Sequence, residues 1–419
     1  MSAPIRPAER PVVEVGPLLL SGVGSDAGLE SHRRRVGEVP IRDADALLGL
    51  VANAAISGRG GAGFPMARKL QTALASGRRR TVVVNGAEGE AASAKDAALL
   101  THAPHRVLDG AVVAARALRS REVHVVTPSE RPQVGLAVAV ALAERDDKGI
   151  RWRQHEAAPR FVAGQARAVL ELLAGREGLP VTAWAPEAVS GHRGRPTLLS
   201  NAETFAQLGA VAADPRAYAV LGTPEEPGTT LLTISSPPDG RGAIGSSRVV
   251  EVEHGSALGA VLSGEALAGE EPGQVLVGGF HGSWVDGSWL AAQRVSRSTL
   301  RASGVPLGAG VLVPLSREGC AVAVTARIVE HLAAESAGRC GPCRFGLPAL
   351  ADEVHGLADG ADTRRRIGEL VGLVDGRGAC AHPDGTARLV RSLLVASAGS
   401  VESHLAGACA CPRLAVAIA

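Results

Sequence analysis

Aromatic residues are almost missing from this chain of 419 residues. Phe, Trp and Tyr together make up 2%, with a single tyrosine. A core without large rings has to be built from Ala, Val and Leu, and the 46% hydrophobic content supplies them. Lysine is also scarce: Lys69, Lys95 and Lys148 are the only three among 44 basic residues, and arginine supplies the rest. The net charge of +2 lacks the excess that general nucleic-acid binding needs. The arginine triplets at 33–35, 78–80 and 364–366 stand apart and read as solvated faces. No run approaches the ~18 apolar residues of a membrane span. The opening MSAPIRPAERP has no apolar stretch of the signal-peptide kind, so a cytoplasmic protein without direct membrane insertion is expected. Cysteine is absent until Cys320 and then occurs six times: Cys320, Cys340, Cys343, Cys380, Cys409 and Cys411. In a reducing compartment, such clustering favours metal or redox chemistry over structural disulfides.

The length suggests about two to four domains. Residues 1–42 are rich in Pro and Arg and are expected to be irregular. A helix is predicted from Ala44 to Ile56, leading into a glycine loop at 58–63. TVVVN (81–85) and EVHVVT (122–127) read as buried parallel strands around a helix near 106–118, the alternation of an α/β domain over 43–225. TTLLTIS (229–235), SSRVVEVEHG (246–255) and QVLVGGFHGSWV (274–285) are short strands between Gly/Pro turns, giving a β-rich domain over 226–300. Val250 and Val252 alternate with Glu251 and Glu253, as on a half-exposed strand. From 301 to 419 the pattern is helical. Ile328/Leu332, Leu350/Val354, Ile367/Leu370 and Leu389/Leu393 mark four amphipathic helices of a bundle, with Asp384 a cap for the last.

Three segments carry chemistry. Gly58-Arg-Gly-Gly-Ala-Gly63 fits a dinucleotide fingerprint in letters only, because a helix and not a strand precedes it. Clustered glycines still let backbone N–H groups converge on phosphate, and Arg59 and Lys69 add charge; a plain tight turn is the competing reading. Asn85-Gly-Ala-Glu88-Gly-Glu90 leaves the carboxyl end of a strand, where open α/β sheets place ligands; a solvated acidic loop competes. Cys340-Gly-Pro-Cys343 suits an iron–sulfur cluster, zinc or a reversible disulfide, with Cys380 able to complete a metal site. A thioredoxin-like dithiol needs strands on both sides, and helical patterns flank this one. Cys320 reads as a small buried apolar residue.

Taken in order, GRGGAGFP (58–65), NGAEGEAASAKD (85–96), RPTLLSNAETFA (195–206) and ESAGRCGPCRFG (335–346) resemble the NADH-binding flavoprotein subunit of respiratory complex I, the NuoF family, and its relatives in NAD-linked hydrogenases and formate dehydrogenases. The resemblance covers about 45–400. It implies an FMN-binding Rossmann-like α/β domain, a ubiquitin-like SLBB domain that is β-rich, and a C-terminal four-helix bundle carrying a [4Fe-4S] cluster. It implies that Gly58, Arg59, Gly60, Gly61 and Lys69 surround the FMN phosphate and ribityl chain. Asn85, Ser200, Asn201 and Thr204 would complete the flavin site. Glu88, the implied catalytic residue, and Glu90 would lie near the nicotinamide and its ribose; Gly164 lies in the nucleotide segment and Phe64 stacks on adenine.

The sequence departs from the family in two places. The first cluster cysteine is Ala337, leaving Cys340, Cys343 and Cys380 as metal ligands, for a 4Fe-4S or 3Fe-4S cluster or for zinc. Ser336, His382, Cys409 and Cys411 are substitute candidates for the fourth ligand. In the nucleotide pocket, Gln165 and Ala166 replace paired glutamates, Ala87 replaces an aspartate, and Thr72 replaces an aromatic, with Trp184 a distant stand-in. Losing a carboxylate there admits NADPH as well as NADH, with Arg167 a partner for the 2′-phosphate. The implied activity is an NAD(P)H dehydrogenase or diaphorase. It passes electrons through FMN to an iron–sulfur centre and on to a ferredoxin or a thioredoxin-like [2Fe-2S] subunit, within a larger redox complex. The competing readings are a flavin-linked dithiol enzyme and a non-catalytic assembly subunit with structural zinc.

Overall fold

A computed structural model describes residues 5–77, 79–239, 241–263 and 272–409. Ten strands run through them in chain order: Val12–Val13 (β1), Thr81–Asn85 (β2), Glu122–Pro128 (β3), Arg151–Ala157 (β4), Thr197–Asn201 (β5), Thr229–Ser235 (β6), Ser247–Glu253 (β7), Gln274–Val277 (β8), Ser283–Asp286 (β9) and Val311–Leu315 (β10).

The first sheet is wholly parallel, in the order β4-β3-β2-β5. Helices cover it, so β2 and β5 are buried at every residue and read as continuous apolar runs. The register sets Asn85 directly beside Asn201, placing two amides at adjacent carboxyl ends. Behind the sheet, helix Pro104–Ala117 packs on helix Ala202–Ala213. A Cβ on Gly110 would fall 1.8 Å from the Phe205 carbonyl oxygen, so only glycine permits this backbone approach. The core is the expected Ala/Val/Leu lattice, with Phe205 and Tyr218 as its scarce rings.

The second sheet is mixed, in the order β1-β7-β6-β10-β8-β9. It reaches beyond the segment 226–300 on both sides. β10 lies between β6 and β8, and β1 pairs with β7. The expected strand 274–285 is two strands, because Gly278 and Gly279 adopt φ of +97° and +86° and turn the chain. Apolar residues continue through that turn and hide it from periodicity. The Glu251 side of β7 is covered as well. Its carboxylate accepts the N–H groups of Leu18, Leu19 and Leu20 and the Thr229 hydroxyl. The segment 1–42 therefore holds structure where it is described, including helix Leu29–Val36, whose buried His32 meets Asp109 at 2.8 Å.

The tail packs helices Ala321–Ala334, Leu347–Ala358, Arg364–Val374 and His382–Ala396, followed by a fifth, Ala398–Leu405. Asp384 is not the cap. It sits inside the first turn of its helix and accepts the Gly376 N–H at 2.9 Å. No helix among the described residues is long and apolar enough to cross a membrane.

Candidate active site

The glycine loop is closed at its base by a bridge between Ser57 and Pro65 and by the Gly58 N–H donating to the Phe64 carbonyl. Gly61 (φ +113°) and Gly63 (φ +63°) make its bend, and the space where a Gly61 Cβ would stand is open. A Cβ on Gly60 would stand 3.7 Å from the Asn201 side chain, so the loop lies over the ends of β2 and β5. Thr204 fixes it by accepting the Arg59 N–H at 3.0 Å and donating to Asn201 Oδ1. Lys69 donates to the Leu199 carbonyl and pairs with Glu187, both at 2.9 Å. Ser200 is buried one residue before Asn201.

Beneath the loop lies a buried charge network. Lys95 is 2% exposed and contacts Asp96 at 3.0 Å and Glu203 at 3.1 Å. Burial opposes its charge, but the carboxylates of Asp96, Glu203 and Glu88 outweigh that and raise its pKa. Burial lifts Asp96 to about 6 against the pull of Lys95. Asp96 also accepts from Asn201 Nδ2 and from the Glu203 N–H. Arg59 is buried. Its Nε lies 3.8 Å from Glu203 Oε1 and bonds no acceptor among the described residues. The open glycine bend fits a phosphate ligand, while the Arg59 guanidinium meets Glu203 and bonds the Thr229 carbonyl at 3.4 Å. Glu203, which holds Arg59 and Lys95 together, escapes the reading of the sequence; its one signal is a lone acid on the apolar run NAETFAQLGAV.

The acidic loop is turned inward. Glu88 has φ of +43°, and its carboxylate accepts the N–H groups of Asp96 and Ala97, the Ser93 hydroxyl and Arg131. It caps helix Lys95–His102, which differs from a carboxylate presented to a nicotinamide; the helix N-terminus attracts the negative charge. Glu90 reaches the second sheet, accepting the Phe280 N–H at 2.8 Å. Burial pushes its pKa to about 7. A carboxyl raised above its unfolded value stabilises the fold fully at acid pH and loses that contribution as pH climbs from 4.5 through 7. Glu90→Gln is therefore expected to flatten thermal stability across that window relative to wild type, measured by melting temperature against pH. Parallel curves would refute it.

The nucleotide segment lies against this loop. Asn85 Nδ2 donates to the Gly164 carbonyl at 2.7 Å, and a Cβ on Gly89 would fall 2.3 Å from the Phe161 carbonyl oxygen. Phe64 is 47% exposed, as a stacking surface requires, and Trp184 is 89% exposed. Thr72 bonds its own helix through Arg68. Arg167 donates to the carbonyls of Ser190 and Ala185, beside a cleft shared with Trp184 and Arg193.

Cys340, Cys343 and Cys380 meet beyond that segment. Cys340 and Cys343 Sγ are 3.5 Å apart at the start of a π-helical turn, Pro342–Gly346. Backbone N–H groups of Ala379, Gly338 and His382 bond Cys340, Cys343 and Cys380 respectively. Burial and the neighbouring Cys340 push the Cys343 thiol up to about 12, whereas the Ala379 N–H and the Cys343 N–H and thiol outweigh burial and hold Cys340 below its usual range. Convergent thiols ringed by N–H donors fit an iron–sulfur cluster, with one iron lacking a cysteine because of Ala337. Two of the substitutes are placed elsewhere. His382 is buried with one ring nitrogen on the Leu332 carbonyl and the other on His281. Cys409 lies with Cys320 and His404. Cys411 falls outside the described residues, and Ser336 is next to Ala337. The Gln165 side chain faces Cys380 and lowers its thiol pKa against burial, and Gly164, held by Asn85, is its chain neighbour.

The model of the Nuo51 FMN-binding domain matches residues 51–210, and that of the NADH-ubiquinone oxidoreductase-F iron–sulfur binding region matches 323–404. Both the FMN-binding and the iron–sulfur regions of the NuoF family are present in this chain. The chain is 26% identical over 407 residues to an NADH-quinone oxidoreductase subunit of Rhizobium meliloti, covering 92% of this chain and 94% of the relative. It is 27% identical over 409 residues to the corresponding NADH-quinone oxidoreductase subunit of Streptomyces coelicolor, covering 90% and 88%. A chain of the NAD+-reducing [NiFe]-hydrogenase in its H2-reduced state superposes with a TM-score of 0.80 at 25% identity, over 95% of this chain and 68% of that one. The NuoF resemblance met in the sequence and its FMN and iron–sulfur regions are thus shown.

Proposed function

We propose that this chain is an FMN-dependent NADH dehydrogenase subunit that accepts hydride from the nicotinamide and releases electrons through an iron–sulfur centre. The observation that carries the reading is the gathering of Cys340, Cys343 and Cys380 next to the nucleotide segment, whose Gly164 carbonyl is held by Asn85 at the end of β2. When bound, FMN supplies the conversion of a two-electron hydride into single electrons. The protein binds, orients and tunes. Gly58, Gly60, Gly61 and Arg59 hold the phosphate, and Lys69 keeps β5 and the segment at Glu187 together beside it. Asn85, Ser200, Asn201 and Thr204 hold the flavin. Glu88 keeps the acidic loop in shape, and Phe64 offers a face to adenine. Cys340, Cys343 and Cys380 hold the iron. The partner is a ferredoxin-type or thioredoxin-like [2Fe-2S] protein within a larger redox assembly. The fold and its family regions favour this electron-transfer reading over a flavin-linked dithiol or a scaffold.

Anaerobic purification tests it. Flavin absorbance is expected to bleach with NADH, with iron and sulfide in the same sample, and NADPH run in parallel assigns the nucleotide. A protein that takes up no flavin on reconstitution overturns the reading. Asn201→Ala removes two buried bonds worth about 1 kcal/mol each, and FMN affinity is expected to fall roughly 10- to 100-fold by fluorescence titration.

A further inference from the structure

Cys320, His404 and Cys409 lie outside the cofactor sites, yet each offers a ligand atom and all three atoms fall within 4.8 Å of one another. We propose that they bind a zinc ion, a site separate from the iron–sulfur cysteines.

Several features build this arrangement. Cys320 precedes helix Ala321–Ala334, and its sulfur accepts the Ala323 N–H at 3.3 Å. Cys320 Sγ and His404 Nε2 are 2.8 Å apart and buried. The His404 ring also bonds the backbone of Ala358, the second contact that typically orients a metal-binding imidazole. After helix Ala398–Leu405, Gly407 takes a φ of +67° and turns the chain, so that Cys409 returns to His404. Two thiolates and an imidazole are a zinc donor set. Tetrahedral zinc, with bonds of roughly 2.3 Å to sulfur and 2.0 Å to nitrogen, separates its ligands by about 3.5–3.8 Å. The observed arrangement reaches that by a shift of under roughly 1 Å. A water or further donor completes the fourth position. The ion would fasten the helix that leads to Cys340 to the end of the bundle.

Iron, zinc, sulfide and flavin measured on the same full-length protein test the proposal. About one zinc per chain is expected in addition to the iron. Cys320→Ser/Cys409→Ser should lower zinc at least fivefold and leave iron and flavin unchanged, whereas Cys340→Ser/Cys343→Ser should lower iron and leave zinc. X-ray absorption at the zinc edge of the wild type should show two sulfurs and a nitrogen, a readout that stands if the variants fail to fold. Wild-type protein that stays zinc-free after incubation with zinc, a Cys320–Cys409 disulfide, or zinc that leaves with Cys343 would overturn it. Because flavin and iron are read separately, failure here is distinct from failure of the proposed redox function.

Discussion

Cys343→Ser is expected to strip iron and sulfide from the protein while its flavin stays bound. Cys343 is buried at 3% exposure, and its sulfur interacts with both Cys340 and Cys380. With Ala337 in place of a cysteine, three thiols remain, so the loss of one leaves only two. Outer contacts to a metal site alone are worth about 10- to 100-fold in affinity or activity, and a direct ligand exceeds them. Electron delivery to an iron–sulfur partner should fall by at least roughly 100-fold. NADH oxidation with a small acceptor that draws on the flavin should hold, because the glycine loop and the Asn85–Asn201 pair are untouched. Unchanged iron in the variant would place the cluster elsewhere. Ala337→Cys is the complementary experiment and should increase the iron retained through purification.

The second large effect is expected from Lys95→Met. It leaves Asp96 and Glu203 buried side by side without their shared cation. Removing one partner of a buried charge group costs about 3–5 kcal/mol, because the remaining charges stay desolvated. Loss of the cation raises the Asp96 carboxyl further and lifts the Glu203 carboxyl from the low value that Lys95 helps to set. Raised carboxyls favour the folded state at acid pH and forfeit that as pH rises, so the variant should be nearest to wild type around pH 5 and furthest from it around pH 8. Flavin should be lost as well, since Asp96 holds Asn201. Denaturant unfolding at the two pH values, with flavin fluorescence, reads both effects. A destabilisation independent of pH would refute the electrostatic account. Adding Asp96→Asn should recover part of the loss.

Much of this is legible in the sequence because the signals are local. TVVVN and EVHVVT are strands wherever they are buried on both faces, and the helical tail follows its 3.6-residue period. Asn85 and Asn201 both stand out in their motifs, but their adjacency follows from the register of β2 with β5, which no local pattern encodes. Glu88 and Glu90 look ligand-facing in the sequence because acids after a strand usually are. Their true neighbours are the start of the following helix and the backbone of Phe280, the latter 190 residues away. Cys320 looks apolar for the same reason: its partner His404 is 84 residues on. Strand β10 escapes the pattern because VLVPL carries a proline; β6 pairs only with Val311 and Leu312, so Pro314 lies past that ladder and faces β8 alone.

The grip of Glu251 on Leu18, Leu19 and Leu20 also bears on how the chain is made. Those amides wait for a residue more than 230 positions downstream, and the Ile5 N–H bonds His331, 326 positions on. At roughly 5–20 residues per second, translation takes about 15–65 s to reach His331 after Ile5. The opening segment therefore cannot settle as it emerges. The contacts of Ile5 and of Leu18–Leu20 are completed only once both later layers exist, although His32 can meet Asp109 much earlier.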